Sequence, residues 1–106
     1  MLIYKVLRPA EWADMQAKGQ TAGAPVDLAD GFVHFSTAAQ LPGTLDKHFA
    51  GAGDLILLAC DAGMTGIRWE KSRGGQDFPH LYRALRMEDV IWSRPLADGE
   101  RPEGLE

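Results

Sequence analysis

Two short segments of the chain carry pairs of polar side chains at a spacing that suits ligand binding. His34 and Ser36 lie in GFVHFST, and His80 and Tyr82 lie in FPHLY. Residues two apart on a β-strand leave the same face about 7 Å apart, which one bound sugar or phosphate can bridge. Imidazole and hydroxyl groups both donate and accept hydrogen bonds. If the two strands line one cleft, the four groups converge on a site that favours a nucleotide.

Each of these residues also has a purely structural interpretation. A histidine flanked by aromatic residues is often an interior or edge residue that binds no ligand. Ser36 suits a helix cap, and Tyr82 can anchor the edge of the core with its hydroxyl in water. Glu70, in GIRWEKS, is by default a solvated strand residue paired with a neighbouring lysine or arginine. His48 is expected to be partly buried packing on a helix, and the tryptophans core aromatics: Trp12, Trp69 and Trp92.

Several common catalytic classes are excluded by motif. The sequence has no Walker loop, no GxGxxG after a strand, no HExxH and no CxxC. The three histidines, His34, His48 and His80, show no metal-ligand spacing of their own, so we expect no metal. Cys60 ends an apolar run, and a buried thiol there is expected to be inert.

Composition limits the remaining classes further. The chain has 106 residues, of which 45% are hydrophobic and 25% charged, values typical of one ordinary globular domain. A formal net charge of -4 lacks the broad positive field that DNA binding needs. The single cysteine suits a reducing compartment, and neither a signal-peptide pattern nor a membrane-length apolar run is present. We therefore predict a cytoplasmic protein with neither a DNA nor a membrane partner.

The first half of the chain predicts two strands, a helix and a loop, and its candidate polar residues fall on the second of these strands. LIYKVL predicts a strand, Pro9–Lys18 a short amphipathic helix, and residues 20–30 a surface loop. In GFVHFST the alternation places Val33 and Phe35 in the core, and Phe32 with the two polar residues on the opposite face.

The second half predicts further strands and one more helix. Thr37 and Gln40 have capping-box spacing, and a helix is expected over residues 42–50. DLILLACD predicts the most central strand, and GIRWEKS, FPHLYRAL and DVIWSRPL predict three others. The pattern of five or six strands with two short helices is α+β. We expect one domain over residues 1–96 and a flexible acidic tail over residues 97–106.

The segment SRGGQD, residues 72–77, is a candidate lid. Gly74 and Gly75 lower the barrier to large backbone changes, and the segment directly links the strand of Glu70 with that of His80. Closure would carry Arg73 toward a ligand phosphate, where a guanidinium can form two hydrogen bonds. The alternative is an ordinary solvated turn.

Most of the chain carries a family resemblance. The segments IYKVL, DGFVHFSTAAQLPGTLDKHFAG, DLILLACD and RWEKSRGGQDFPHLY resemble the bacterial family called domain of unknown function 952, over residues 2 to about 95. That family is grouped with the ADP-ribosyltransferase-like superfamily, and GFVHFS is similar to the HVHLS stretch of its RNA 2'-phosphotransferases. The resemblance implies small split antiparallel β-sheets that form a cleft.

The resemblance also implies a ligand and roles for residues. NAD, as a substrate, would lie in the cleft, with its ribose and pyrophosphate held by His34, Ser36, His80 and Tyr82, and Glu70 would act on the nicotinamide ribose. The first strand offers Lys5 and Arg8 where members of the superfamily place His or Arg. The implied activity is ADP-ribosyl transfer or hydrolysis, with protein, RNA, a small molecule or water as acceptor. The alternatives are a non-catalytic module that binds a small ligand or protein, and a purely structural domain.

Overall fold

The computed structural model describes the backbone of residues 1–106 and every side chain except that of Arg73. In chain order, its helices and strands are β1 (Leu2–Leu7), α1 (Pro9–Lys18), β2 (Gln20–Thr21), α2 (Pro25–Asp30), β3 (Val33–His34), α3 (Leu41–His48), β4 (Leu55–Asp61), β5 (Ile67–Lys71), a 3₁₀ turn (Arg73–Gly75), β6 (Asp77–Leu81), β7 (Leu85–Arg86), a 3₁₀ turn (Met87–Asp89) and β8 (Val90–Leu96).

The first sheet is antiparallel, with the strand order β1-β4-β8. β4 is its central strand, as the continuous apolar run predicted, and four of its residues are fully buried: Leu57, Leu58, Ala59 and Cys60. A strand that is covered on both faces needs no polar alternation, which is why DLILLACD reads as uninterrupted apolar sequence.

The second sheet is also antiparallel, with the order β3-β6-β5. Its register sets His34 directly opposite His80, and His80 opposite Arg68. A third, two-stranded sheet pairs β2 with β7. An isolated antiparallel bridge between Tyr4 and Ser36 joins the first sheet to the second, through backbone hydrogen bonds of 2.8 and 2.9 Å.

Two apolar clusters form the core. The first combines residues of the first and second sheets with one residue of α1, one of β7 and one that follows β3: Ile3, Leu7, Met15, Val33, Phe35, Leu58, Cys60, Leu81 and Leu85. The second lies between the first sheet and α3: Tyr4, Val6, Leu41, Leu45, Leu55, Leu57, Ala59 and Leu96. Val33 and Phe35 are thus buried as predicted. Alternate residues of β1 enter different clusters because successive side chains point to opposite faces.

Three predictions about the elements are wrong. Residues 20–30, predicted as a loop, contain β2 and α2, so the structure has three α-helices among its described residues where two were expected. α2 begins at Pro25, and Gly31 ends it in the left-handed conformation at φ +83°. FPHLYRAL is two strands, and GFVHFST contributes only Val33–His34 to a ladder. Strand pairing, which is not encoded locally, determines these boundaries.

Two side-chain expectations are also corrected. His48, expected to be partly buried, is exposed on α3, and Trp69, expected in the core, is 42% exposed on β5. No residue of the edge strand β5 is buried, so the strand offers no covered face for a large aromatic residue.

Residues 97–106 carry no helix or strand but contact the rest of the domain. Leu105 packs against the second cluster, Arg101 pairs with Asp46 of α3, and Glu100 pairs with Arg94 of β8. The flexibility expected of this segment stays a prediction. None of the described helices has the length and apolar character needed to cross a bilayer.

Candidate functional site

A cleft of about 590 Å³ opens beside the junction of the first and second sheets. Residues of β1, β3 and β6 form its floor, and side chains of all three α-helices contribute to its walls. Its polar lining is rich in hydrogen-bond donors, including Lys5, Arg8, His34, Ser36, Lys47 and His80. Two carboxylates, those of Glu11 and Asp30, also line it.

The buried carboxylate of Asp27 organises one wall of this cleft. Its Oδ1 accepts hydrogen bonds from the backbone N–H and the ring Nδ1 of His34, at 2.9 and 2.6 Å. Its Oδ2 accepts from Lys5 Nζ and from the backbone N–H of Ala24, both at 2.7 Å. Burial acts to raise the pKa of Asp27, but the bonds from His34 and the charge of Lys5 outweigh it and lower the pKa to about 2. Asp27 is therefore a permanent anion that fixes His34 and Lys5.

Lys5 is the cationic partner of this carboxylate. It lies on β1, is 5% exposed and lines the cleft. Burial holds the pKa of the Lys5 ammonium below its usual range, against the opposing attraction of Asp27. An ammonium has three donors, of which Asp27 takes one. The pair joins β1 to α2 in the interior.

His34 presents its second ring nitrogen to the cleft. Nδ1 contacts Asp27, and Nε2 lies 3.0 Å from Oδ2 of Asp30, whose side chain is 48% exposed. Because carboxylates only accept hydrogen bonds, both contacts are hydrogen bonds only when each ring nitrogen carries a proton. In that form His34 is a fixed donor, and a ligand oxygen can replace Asp30 at Nε2.

His80 contacts a different carboxylate from His34, that of Glu70. Its Nδ1 lies 2.8 Å from Glu70 Oε1, and the Tyr82 hydroxyl donates to the same oxygen at 2.6 Å. These bonds, that of Tyr82 first, hold the pKa of Glu70 below its usual range, and the bond to Glu70 raises the pKa of Tyr82. His80 is 3% exposed, and its Nε2 is buried without a hydrogen-bond partner among the described residues.

Phe32 holds the two imidazoles in place. Its ring stacks on that of His80 with the centroids 4.1 Å apart, and it contacts His34 at 4.5 Å and Tyr82 at 5.1 Å. The two imidazoles lie edge to face with their centroids 5.3 Å apart. Two carboxylate-bound histidines therefore share one face of the second sheet.

The structure brings together three of the predicted site residues at the cleft itself. His34, Ser36 and His80 line it, whereas Glu70 and Tyr82 are absent from the described residues that line it and stand behind His80. Glu70 contacts a histidine and a tyrosine, where its default interpretation expected a lysine or arginine. The predicted phosphate contact of Arg73 lies outside the described residues. The functional roles of all six residues stay predictions.

Ser36 has a different local role from the cap considered for it. Its Oγ lies 2.7 Å from Thr44 Oγ1 of α3, at the cleft wall. Thr37 and Gln40 form the predicted capping box: Thr37 Oγ1 accepts from the Gln40 N–H at 3.2 Å, and Gln40 Oε1 accepts from the Thr37 N–H at 3.1 Å. Ser36 therefore does not cap the helix, and its side chain instead connects α3 to the segment that follows β3.

Asp27 is the site residue that sequence analysis missed. Its local signal is the helix start at Pro25, followed by an acid in the first turn, where its side chain accepts the Ala24 N–H. That signal predicts a cap and nothing more. The role of Asp27 at the cleft depends on its hydrogen bonds with Lys5 and His34, whose side chains reach it from β1 and β3. In the part of the chain that the structure describes, no cluster of His, Cys, Asp and Glu could hold a metal ion.

A model of the family described as "Protein of unknown function (DUF952)" matches residues 6–93. The chain belongs to this family. No curated protein matches it. Among solved structures, this DUF952 chain is similar to protein CC0527 from Caulobacter crescentus.

The crystal structure of CC0527 is 45% identical to this DUF952 chain and has a TM-score of 0.87, covering 93% of this chain and 91% of that chain. The solution NMR structure of CC0527 is 47% identical, with a TM-score of 0.81 and coverage of 91% and 84%. The α+β fold with several small antiparallel sheets is therefore shared with a solved relative.

Proposed function

We propose that the protein binds NAD or an ADP-ribose-like nucleotide in the cleft and transfers or hydrolyses the ADP-ribosyl group. The observation that carries this proposal is the pairing of His34 with His80 across β3 and β6, each held by a carboxylate, at a cleft that also carries cationic side chains. The resemblance of GFVHFS to superfamily members supports the same ligand class.

The size and charge of the cleft suit such a ligand. Its volume of about 590 Å³ falls within the range of about 300–1,000 Å³ typical of small-molecule sites. Arg8 and Lys47 supply positive charge for a pyrophosphate, and the Arg8 guanidinium lies over the Phe49 ring, 5.0 Å from its centroid. These cations concentrate at the cleft although the chain as a whole is acidic. Glu11, which lies 3.7 Å from the Arg8 guanidinium, and Asp30 also line the cleft, so a bound pyrophosphate competes with carboxylates for these cations.

The reaction breaks the bond between C1' of the ribose and the nicotinamide nitrogen. Nicotinamide leaves with the bonding electrons, and positive charge develops on the ribose, where a nearby carboxylate stabilises it. Glu70, for which this role was predicted, has one oxygen occupied by His80 and Tyr82. Asp30 lines the cleft beside His34 Nε2, so we assign the charge-stabilising role to Asp30 and a positioning role to Glu70.

Isothermal titration of the protein with NAD and with ADP-ribose tests binding. We expect heat of binding with both, and about tenfold weaker binding in Arg8→Gln, which removes one charged contact to phosphate. Arg86→Gln, at an exposed arginine outside the cleft lining, is the matched control and should bind as the wild type does. No heat and no thermal shift at millimolar ligand would contradict the proposal.

A non-catalytic binding module is the second candidate, and the engagement of Glu70 favours it. The carboxylate implied for catalysis is held away from the cleft lining by two hydrogen bonds. Nicotinamide release under saturating NAD separates the two functions. Release that falls at least about 30-fold in Asp30→Asn supports catalysis, whereas binding without release supports the module.

A further inference from the structure

In the neutral imidazole with its proton on Nδ1, the Nε2 atom of His80 is a hydrogen-bond acceptor that has no partner among the described residues. Nδ1 faces the Glu70 carboxylate at 2.8 Å, and a carboxylate only accepts, so the ring proton is on Nδ1. Nε2 then carries a lone pair. Buried polar atoms are nearly always hydrogen-bonded, and this one has no partner among the described residues. His80 lines the cleft, so a hydroxyl group on a ligand that enters the cleft can supply the missing partner.

The surroundings of His80 keep the ring in this state. The Tyr82 hydroxyl donates to Glu70 Oε1, which favours the ionised form of the Glu70 carboxylate. The ionised carboxylate in turn accepts a hydrogen bond from the protonated Nδ1 of His80. Phe32 stacks on the ring at an interplanar angle of 26° and fixes its plane. The other charged groups that face this histidine are Arg68, opposite it on β5, and His34, opposite it on β3. A fixed imidazole with an aligned carboxylate behind it is the arrangement of a general base.

We propose that His80 is the general base that activates the acceptor of the transfer reaction, and that the acceptor is a hydroxyl group, from water or an alcohol. This inference rests on the proposed function and names its acceptor class. The acceptor oxygen forms the new bond to C1' as the bond from C1' to the nicotinamide nitrogen breaks. Its proton passes to His80 Nε2, and Glu70 stabilises the resulting imidazolium. Nicotinamide departs with the electron pair, and the imidazolium returns its proton to solvent.

The chemistry of Nε2, more than the charge of the cleft, favours a hydroxyl acceptor. The lining carries the cations Lys5, Arg8 and Lys47 and also the carboxylates of Glu11 and Asp30, so charge alone does not select the acceptor. A hydroxyl enters uncharged and offers the proton that Nε2 lacks. The donor at His34 and the acceptor at His80 then contact different parts of the bound molecules.

Azide rescue of a base-deficient variant is the decisive experiment. Azide is an anionic nucleophile, so it attacks C1' without losing a proton and needs no base. With NAD saturating, we expect His80→Asn to release nicotinamide to water and to methanol at least about 100-fold more slowly than the wild type. With azide, the two proteins should release nicotinamide at rates within about threefold of each other.

A second variant covers the case in which the buried His80→Asn does not fold. Glu70→Gln removes the charge behind the ring, and we expect about tenfold slower release to water with the same azide rescue. Glu88→Gln, at an exposed carboxylate paired only with Arg86 in the described part of the chain, is the matched control. Imidazole ¹⁵N NMR of the free protein gives a readout without turnover: Nδ1 of His80 should carry the proton and Nε2 should not.

Each other outcome overturns a defined statement. Failure of azide to restore release, or a proton on Nε2 in the free protein, overturns the assignment of the base. NAD binding without release to water, methanol or azide overturns this inference and leaves the binding proposal standing. Absence of NAD binding overturns the proposed function, and this inference with it.

Discussion

Asp27 connects three separate parts of the chain through one buried carboxylate. It accepts from Lys5 of β1, from Ala24 before α2 and from His34 of β3. Both oxygens are saturated with donors, so the group is held as an anion in an interior where an unpaired charge would be costly. The orientation of His34 at the cleft depends on this residue.

Neutralising Asp27 should therefore destabilise the domain strongly. Asp27→Asn keeps the shape of the side chain but leaves the Lys5 ammonium buried without a counterion, and we expect a loss of about 3 kcal/mol in unfolding free energy. Urea denaturation measures it. Asp14→Asn, which breaks the exposed pair with Lys18, should cost less than about 0.5 kcal/mol. Equal losses for the two variants would show that Asp27 is not a buried structural anion.

The same carboxylate makes stability depend on pH in the acid range. The pKa of Asp27 is about 2 when folded and about 3.8 in the unfolded chain, so the unfolded state binds the proton first as the pH falls. Its contribution is complete above about pH 4 and is lost as the pH drops through about 2, roughly 2 kcal/mol in all. Urea titrations between pH 6 and pH 2 should show a smaller loss of stability in Asp27→Asn than in the wild type, because Glu70 and Asp89, whose pKa values are also lowered, contribute in both proteins.

Gly23, in the turn before α2, leaves the space that the Asp27 side chain occupies. It has φ +105°, and a Cβ added there would overlap the Asp27 carboxylate. Gly23→Ala should cost more than about 2 kcal/mol, because it combines a disfavoured backbone conformation with displacement of Asp27. Gly31→Ala, at φ +83° with open space around the added methyl, should cost only about 1 kcal/mol. Thermal unfolding of both variants tests the difference.

The hairpin between β5 and β6 carries the lid hypothesis. Ser72 lines the cleft, its N–H donates to Gln76 O at 2.9 Å, and Gly74 and Gly75 both adopt positive φ. A closing lid should show slower amide hydrogen exchange over residues 72–77 when NAD or ADP-ribose is saturating. Equal exchange with and without nucleotide would leave an ordinary turn.

At the level of elements, local sequence patterns predicted the ends of α1 and the faces of the strands, but not the pairing of distant residues. α1 was predicted with its observed bounds, because Pro9 begins it and Gly19, at φ +81°, ends it. α2 was missed because six residues are too few to show a helical period. The alternation in GFVHFST and FPHLY placed His34 and His80 on strand faces, but their direct pairing depends on register. The contact of Asp27 with Lys5 spans 22 residues, which no local pattern reveals.

At the level of the whole molecule, the last ten residues give a test of the domain boundary. Leu105 is the apolar contact of this segment with the second cluster, and the ion pairs of Arg101 and Glu100 are partly exposed. Removing residues 99–106 should cost about 1–2 kcal/mol, mainly from the lost leucine packing, and lower the Tm by roughly 4–16 °C. Nucleotide affinity should be unchanged. An unfolded product would place the segment within the domain proper.

The junction at Tyr4 and Ser36 makes the width of the cleft a property of the core behind it. Two backbone hydrogen bonds at one residue pair resist sliding but permit rotation, so the angle between the two sheets is set by the side chains wedged between them. Ile3 from one sheet and Leu81 from the other belong to that wedge and are fully buried. Substituting larger or smaller side chains for Ile3 and Leu81 would widen or narrow the cleft while leaving the residues that line it unchanged. Cleft width can thus differ between relatives through residues that do not line the cleft.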